Sequence, residues 1–109
     1  MNFQIQWTHI ALLSLSEVYE YTYEEFGGRQ LNKLTEQIQL ATRCLSIFPM
    51  SGKREEELEE STGIVYRSIV VISEIKLLYT ISDNTVFIEF VKNTRMDDAT
   101  MLDKLKDSF

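Results

Sequence analysis

A chain of 109 residues with 44% hydrophobic side chains can bury one core and is too short for two, so a single domain spanning 1–109 is expected. Its 17 Asp and Glu against 11 Lys and Arg leave a net charge of −6, so long-range attraction to nucleic acid is not built in and any such contact needs a local basic patch. A single cysteine, Cys44, excludes an internal disulfide and a multi-cysteine metal site and fits a reducing compartment.

The N-terminus, MNFQIQWTHI, has no basic region followed by an apolar run, and no apolar run is longer than Ile69 to Ile72, far too short for a bilayer. A cytoplasmic chain is the expectation. Phe3, Ile5 and Trp7 alternate with Gln4 and Gln6, the period-two pattern of a half-buried strand. Thr8 is a good N-cap for a helix over Ile10 to Phe26, in which Ala11, Leu15, Val18 and Thr22 fall at helical spacing, as do Leu12, Leu15, Tyr19 and Phe26. Gly27-Gly28 ends it, because glycine enters the left-handed region without a Cβ penalty.

From Arg29, a second helix is marked by Leu31, Leu34, Ile38, Ala41, Leu45 and Phe48, the cleanest amphipathic stripe in the chain. Pro49 stops it by pushing the preceding residue out of the α region, and Ser51-Gly52 extends the break. So short a connection makes the two helices an antiparallel hairpin. Lys53 to Gly63 is the most charged stretch; with no His or Asp at ligand spacing beside its glutamates, it reads as a solvated loop or short surface helix and not as a cation site.

Ile64 to Lys92 holds three runs, IVYRSIVV, IKLLYTI and TVFIEFVK, rich in β-branched and aromatic residues and separated by short polar breaks. They predict a β-meander. Both parities of the first two runs are mostly apolar, so both sheet faces should be covered or used. Arg67 and Lys76 interrupt that pattern, and a cation there must reach water, a partner or a ligand. After the meander, Met101, Leu102 and Leu105 suggest a short C-terminal helix or tail within Asn93 to Phe109.

Elimination narrows the chemistry. His9 is the only histidine and has no sequence-local nucleophile beside it. Gly27-Gly28 lacks the frame of a phosphate loop and joins helix to helix. No cofactor or metal is implied. What survives is a sparse set of cations around the meander, Lys53, Arg54, Arg67, Lys76 and Arg95, with Tyr66 and Tyr79, a set suited to phosphates or to the carboxylates of an acidic partner.

The motifs I-x-W-T-x-x-A (Ile5 to Ala11), Leu45 to Pro49 with Gly52-Lys53, V-Y-R (Val65 to Arg67), I-K-L-L-Y (Ile75 to Tyr79) and V-x-I-x-x-V-x-x-T-R-x-D (Val86 to Asp97) occur in an order and spacing that resemble a RelE/ParE-superfamily toxin of a type II toxin–antitoxin module, of the plasmid-stabilisation type. The resemblance covers essentially the whole chain. It implies an α+β fold, β-α-α-β-β-β, with the helical hairpin packed on a mostly antiparallel four-stranded sheet. It also implies a cognate antitoxin, usually acidic, that wraps the toxin; Lys53, Arg54, Arg67, Lys76, Tyr79 and Arg95 are the residues expected to meet partners.

Two activities come with the resemblance. RelE-type members cut mRNA in the ribosomal A site without metal, using a Lys/Arg cluster and a C-terminal tyrosine; ParE-type members lack that cluster and are associated with inhibition of DNA gyrase. Arg67, Lys76 and Arg95 are the candidate catalytic cations here. A third cationic position of the ribonuclease pattern falls on Ile69, and no tyrosine follows Arg95. Metal-free RNA cleavage needs a group to activate the 2′-hydroxyl, cations for the developing phosphorane charge and an acid for the leaving oxygen. The departures favour a ParE-like toxin that binds a protein target, with a RelE-like endoribonuclease as the alternative and a non-toxic antitoxin-binding relic as a third reading. Membrane association and sequence-specific nucleic-acid binding are not expected; the choice of gyrase or ribosome and homodimerisation stay open.

Overall fold

The computed structural model describes residues 2–72 and 74–106; Ser73, in the break between the first two meander runs, and the last three residues of the expected C-terminal segment lie outside the described residues. The elements run β1 (Gln4–Trp7), α1 (His9–Phe26), α2 (Gly28–Ile47), a 3-10 turn (Pro49–Ser51), β2 (Lys53–Arg54), α3 (Glu56–Thr62), β3 (Arg67–Ile72), β4 (Ile75–Ser82), β5 (Thr85–Asn93) and α4 (Asp98–Lys106). This is the expected α+β order of strand, helical hairpin, meander and C-terminal helix. The charged stretch contributes α3 and the two-residue β2, which adds a short fifth strand to the four expected and gives the sheet order β1-β5-β4-β3-β2.

Local chemistry accounts for the hairpin. The Thr8 hydroxyl accepts from the Ala11 N–H at 3.1 Å and caps α1, while the Thr8 N–H donates to the Ile88 carbonyl and ties the strand-to-helix junction to β5. Gly27 closes α1 and opens α2 by itself: at φ 85 its N–H donates to Tyr23 O and its carbonyl accepts from Leu31 N. One residue therefore joins the helices where two were expected. Phe48 ends α2 ahead of Pro49, as the proline requires.

The sheet separates two cores. On one face the hairpin residues Ala11, Val18, Leu34, Ile38 and Leu45 pack against Leu77, Tyr79, Val86, Ile88 and Val91. On the other, Leu58 of α3 and Met101 and Leu105 of α4 cover Tyr66, Leu78 and Phe90. That division explains why both parities of the meander are apolar. Leu12 and Phe26, which share the helical spacing on α1, are by contrast exposed.

β1 lies parallel to β5, and the other pairings are antiparallel. The register slips once between Val70 and Ile72 on β3 and once where Leu78 pairs Phe90 but Tyr79 pairs Ile88, so that Glu89 is the extra residue of a bulge. The second slip puts Phe90 in the core opposite the one that holds Val86 and Ile88. The first meander run is also shorter than its composition implies. Ile64–Tyr66 precede β3, and the Tyr66 carbonyl accepts from the Glu55 N–H at 2.9 Å.

Candidate partner-binding surface

Two of the residues expected to meet partners are occupied inside the molecule. Tyr79 is fully buried, and its hydroxyl donates to Pro49 O at 2.8 Å while accepting from the Gly52 N–H at 2.9 Å. Burial pushes that phenol above its ordinary range, against the opposing pull of the Gly52 N–H and the Arg67 charge. Arg67, paired with Tyr79 across the strands, donates through Nη1 to Gly52 O at 2.8 Å and Met50 O at 3.3 Å. Together they satisfy the carbonyl and amide groups of the turn that follows α2, where the helix ladder has ended. Tyr79 thus has no surface to offer a partner, and Arg67 holds the 49–52 turn.

The other cations lie further out. Arg54 is bidentate on Glu59, with Nη2 2.6 Å from both carboxylate oxygens and Nε 3.1 Å from one. Lys53 is 74% exposed and 4.0 Å from Glu55, whose carboxylate accepts from Ser68 Oγ at 2.6 Å. Lys76 pairs across the strands with Val70 and Lys92 and has no acidic partner among the described residues. Arg95, after β5, is held by Glu74 at 3.1 Å and by the Tyr21 hydroxyl at 3.0 Å.

Register decides what these groups can do jointly. Arg67 shares a face with Tyr79, toward the helical hairpin, whereas Lys76 shares the other face with Leu78. The three candidate catalytic cations, Arg67, Lys76 and Arg95, are therefore not brought to one point. Among the described residues no group of three or more His, Cys, Asp or Glu is placed to hold a metal ion.

What the surface does offer is an edge. β2 covers only Arg67 and Ser68, so among the described residues no strand lies on the outer side of Ile69–Ile72, a β-branched edge of β3 with Val70 62% exposed beside Lys76. Such an edge, flanked by Lys53 and Lys76, can add an extended peptide through main-chain hydrogen bonds and select acidic side chains by charge.

Two charged groups on the α3/α4 side escaped the sequence reading. Lys92, opposite Lys76, pairs with Asp98 and ties α4 to the sheet, which offsets the like-charge contact across the strands. Glu89 is the bulge residue, partly buried, with its carboxylate accepting from Thr80 Oγ1 at 3.0 Å. Desolvation raises its pKa, opposed by the Thr80 hydrogen bond, and its charge adds to the burial that raises Tyr66. Alternation along TVFIEFVK gives no signal for either residue, because the bulge shifts the phase of the strand.

The sign of the Glu89 effect follows from linkage. A carboxyl whose folded pKa lies above its unfolded value stabilises fully below the unfolded pKa and loses that contribution as pH rises through the folded one. Glu89→Gln is therefore expected to unfold at a urea midpoint no lower than wild type at pH 7, and to show less decline in midpoint as pH rises from about 4.5, the ordinary carboxyl value. A clearly lower midpoint for the variant at pH 7 would mean that the ionised carboxylate is favourably partnered.

No protein-family model matches the sequence, and no curated protein sequence matches it. Among solved structures, a chain of the chromosomal ParDE TA (toxin–antitoxin) system from P. aeruginosa matches at a TM-score of 0.67 and 15% identity, over 84% of this chain and 95% of that one. At that identity the likeness is one of fold, and it takes in nearly the whole of both chains.

Proposed function

We propose that this chain is a single-domain toxin of a type II toxin–antitoxin module that acts in the cytoplasm by binding a protein target, in the ParE-like manner that makes DNA gyrase the first target to test, and that a cognate antitoxin neutralises it. The observation that carries the binder over the nuclease is the dispersal of the cations. Arg67 is engaged with the 49–52 turn, Lys76 lies on the opposite sheet face, and Arg95 is held by Glu74 and Tyr21. Supporting the module itself are the fold shared with a chain of a ParDE system and the open β3 edge between cations, which suits an acidic extended antitoxin segment.

Induced expression tests it. Growth arrest with filamentation and DNA-damage signalling is expected, with primer extension on abundant transcripts showing no codon-phased cuts. Cuts at A-site positions that vanish on Lys76→Ala would promote the ribonuclease instead; that variant leaves the Arg67 turn intact. A folded, well-expressed protein that neither cuts mRNA nor slows growth would point to an antitoxin-binding relic.

A further inference from the structure

A cavity of about 190 Å³ opens where the C-terminal end of α1 and the first turns of α2 meet the ends of β3, β4 and β5. Leu34, Ile72 and Ile75 give it apolar lining, and the exposed ring of Phe26 stands beside it in edge contact with Tyr21. It falls below the roughly 300–1,000 Å³ of pockets that take drug-sized ligands and has room for about one apolar side chain. Its rim is charged. Arg95 bridges two of the lining residues, donating Nη1 to the Tyr21 hydroxyl at 3.0 Å and placing Nε 3.1 Å from Glu74.

Beyond those two contacts the Arg95 side chain is 67% exposed and open to a further acceptor. A guanidinium already oriented by two contacts loses little entropy on accepting a further carboxylate. Gln30, in the first turn of α2, lies at the same rim, where the positive end of that helix is offset by the negative C-terminal end of α1. Glu74 neutralises part of the Arg95 charge and is itself 50% exposed, so a further carboxylate shares the guanidinium with it.

We propose that this cavity anchors a partner segment by one Leu- or Phe-sized side chain whose neighbouring Asp or Glu lies on Arg95. The partner is the acidic antitoxin segment of the proposed function, and to that extent the inference rests on it. The recognition chemistry, an apolar anchor in a pocket with a charge-assisted hydrogen bond at the rim, is that of an interface hot spot.

The test uses the intact chain and defined probes: N-acetyl-Phe-Asp-amide, its neutral counterpart N-acetyl-Phe-Asn-amide, and N-acetyl-Gly-Asp-amide, each titrated by amide NMR. Saturable shifts at Gln30, Ile72 and Asn93 are expected for the first peptide, with the other two about fivefold to tenfold weaker. Arg95→Ala should reduce the first peptide to the level of its neutral counterpart. The absence of saturable shifts up to about 10 mM, a concentration above even millimolar dissociation constants, would overturn the proposal. Equal binding of the aspartyl and asparaginyl peptides would overturn the role of Arg95.

Binding of the product of the adjacent gene, measured by calorimetry, separates this inference from the functional reading. If that protein binds wild type and Arg95→Ala alike, the anchor is not used and the proposal falls while the toxin reading stands. If no adjacent partner binds but the dipeptide saturates, the anchor stands and the toxin–antitoxin reading falls.

Discussion

Gly52→Ala is expected to cost about 2–6 kcal/mol of stability, the sum of overpacking at about 1–3 and of weakened buried hydrogen bonds at about 1–3. A Cβ built at Gly52 would lie 2.4 Å from the Tyr79 hydroxyl, 2.8 Å from its ring and 2.9 Å from the Ser68 carbonyl. None of these neighbours yields easily. Tyr79 is fully buried and held at both ends of its hydroxyl by Pro49 and Gly52, and Ser68 is in a strand paired on both sides. The backbone of the 49–52 turn must therefore move, which also loosens the Arg67 contacts to Met50 and Gly52.

A double-mutant cycle with Tyr79→Phe isolates the mechanism. Removing the hydroxyl should shrink the penalty of Gly52→Ala without abolishing it, because the ring and the Ser68 carbonyl stay close. Urea unfolding of the four proteins gives the coupling; strictly additive effects would mean that the turn is not organised around this contact.

Ile38→Ala is expected to cost about 2–5 kcal/mol, the range for truncating a buried aliphatic side chain and leaving a partly collapsed cavity. Ile38 is 4% exposed and sits between Leu34 and Leu45 on the face of α2 that packs on the sheet. A domain of this size has a margin of about 5–15 kcal/mol, so the loss is a large share of it. A measured change under about 0.5 kcal/mol, the range of neutral surface substitutions, would place Ile38 outside the core.

These two positions differ in how visible they were. Ile38 lies on a stripe of three- and four-residue steps, and that periodicity alone selects the buried face of a helix whatever it packs against. Gly52 gives no such signal. Its need for a missing Cβ arises from a tyrosine 27 residues away, and no local pattern encodes that approach.

The candidate site shows the same division. Arg67 and Lys76 are both central cations in apolar strands, and the sequence offers no ground for separating them. They separate because each cross-strand pair shares a face: Arg67 pairs with Tyr79 toward the hairpin, Val70 with Lys76 toward α3 and α4. A slip of one residue in the pairing of β3 with β4 would have put Arg67 and Lys76 on the same face. Glu89 and Lys92 were hidden for a related reason, since a bulge resets the alternation on which strand reading depends.

The sequence by itself determined what is local: the capped start of α1 at Thr8, the glycine turn at Gly27, the apolar stripe of α2, its end before Pro49 and the meander. Each rests on the backbone preferences and periodicity of neighbouring residues, which act wherever the segment lies. Only the tertiary structure decided that β1 enters the sheet parallel to β5, that Tyr79 is inside while the β3 edge is open, and that the cations part to opposite faces. Those outcomes depend on register and on long-range packing, in which one residue of slip exchanges inside for outside at almost no local cost.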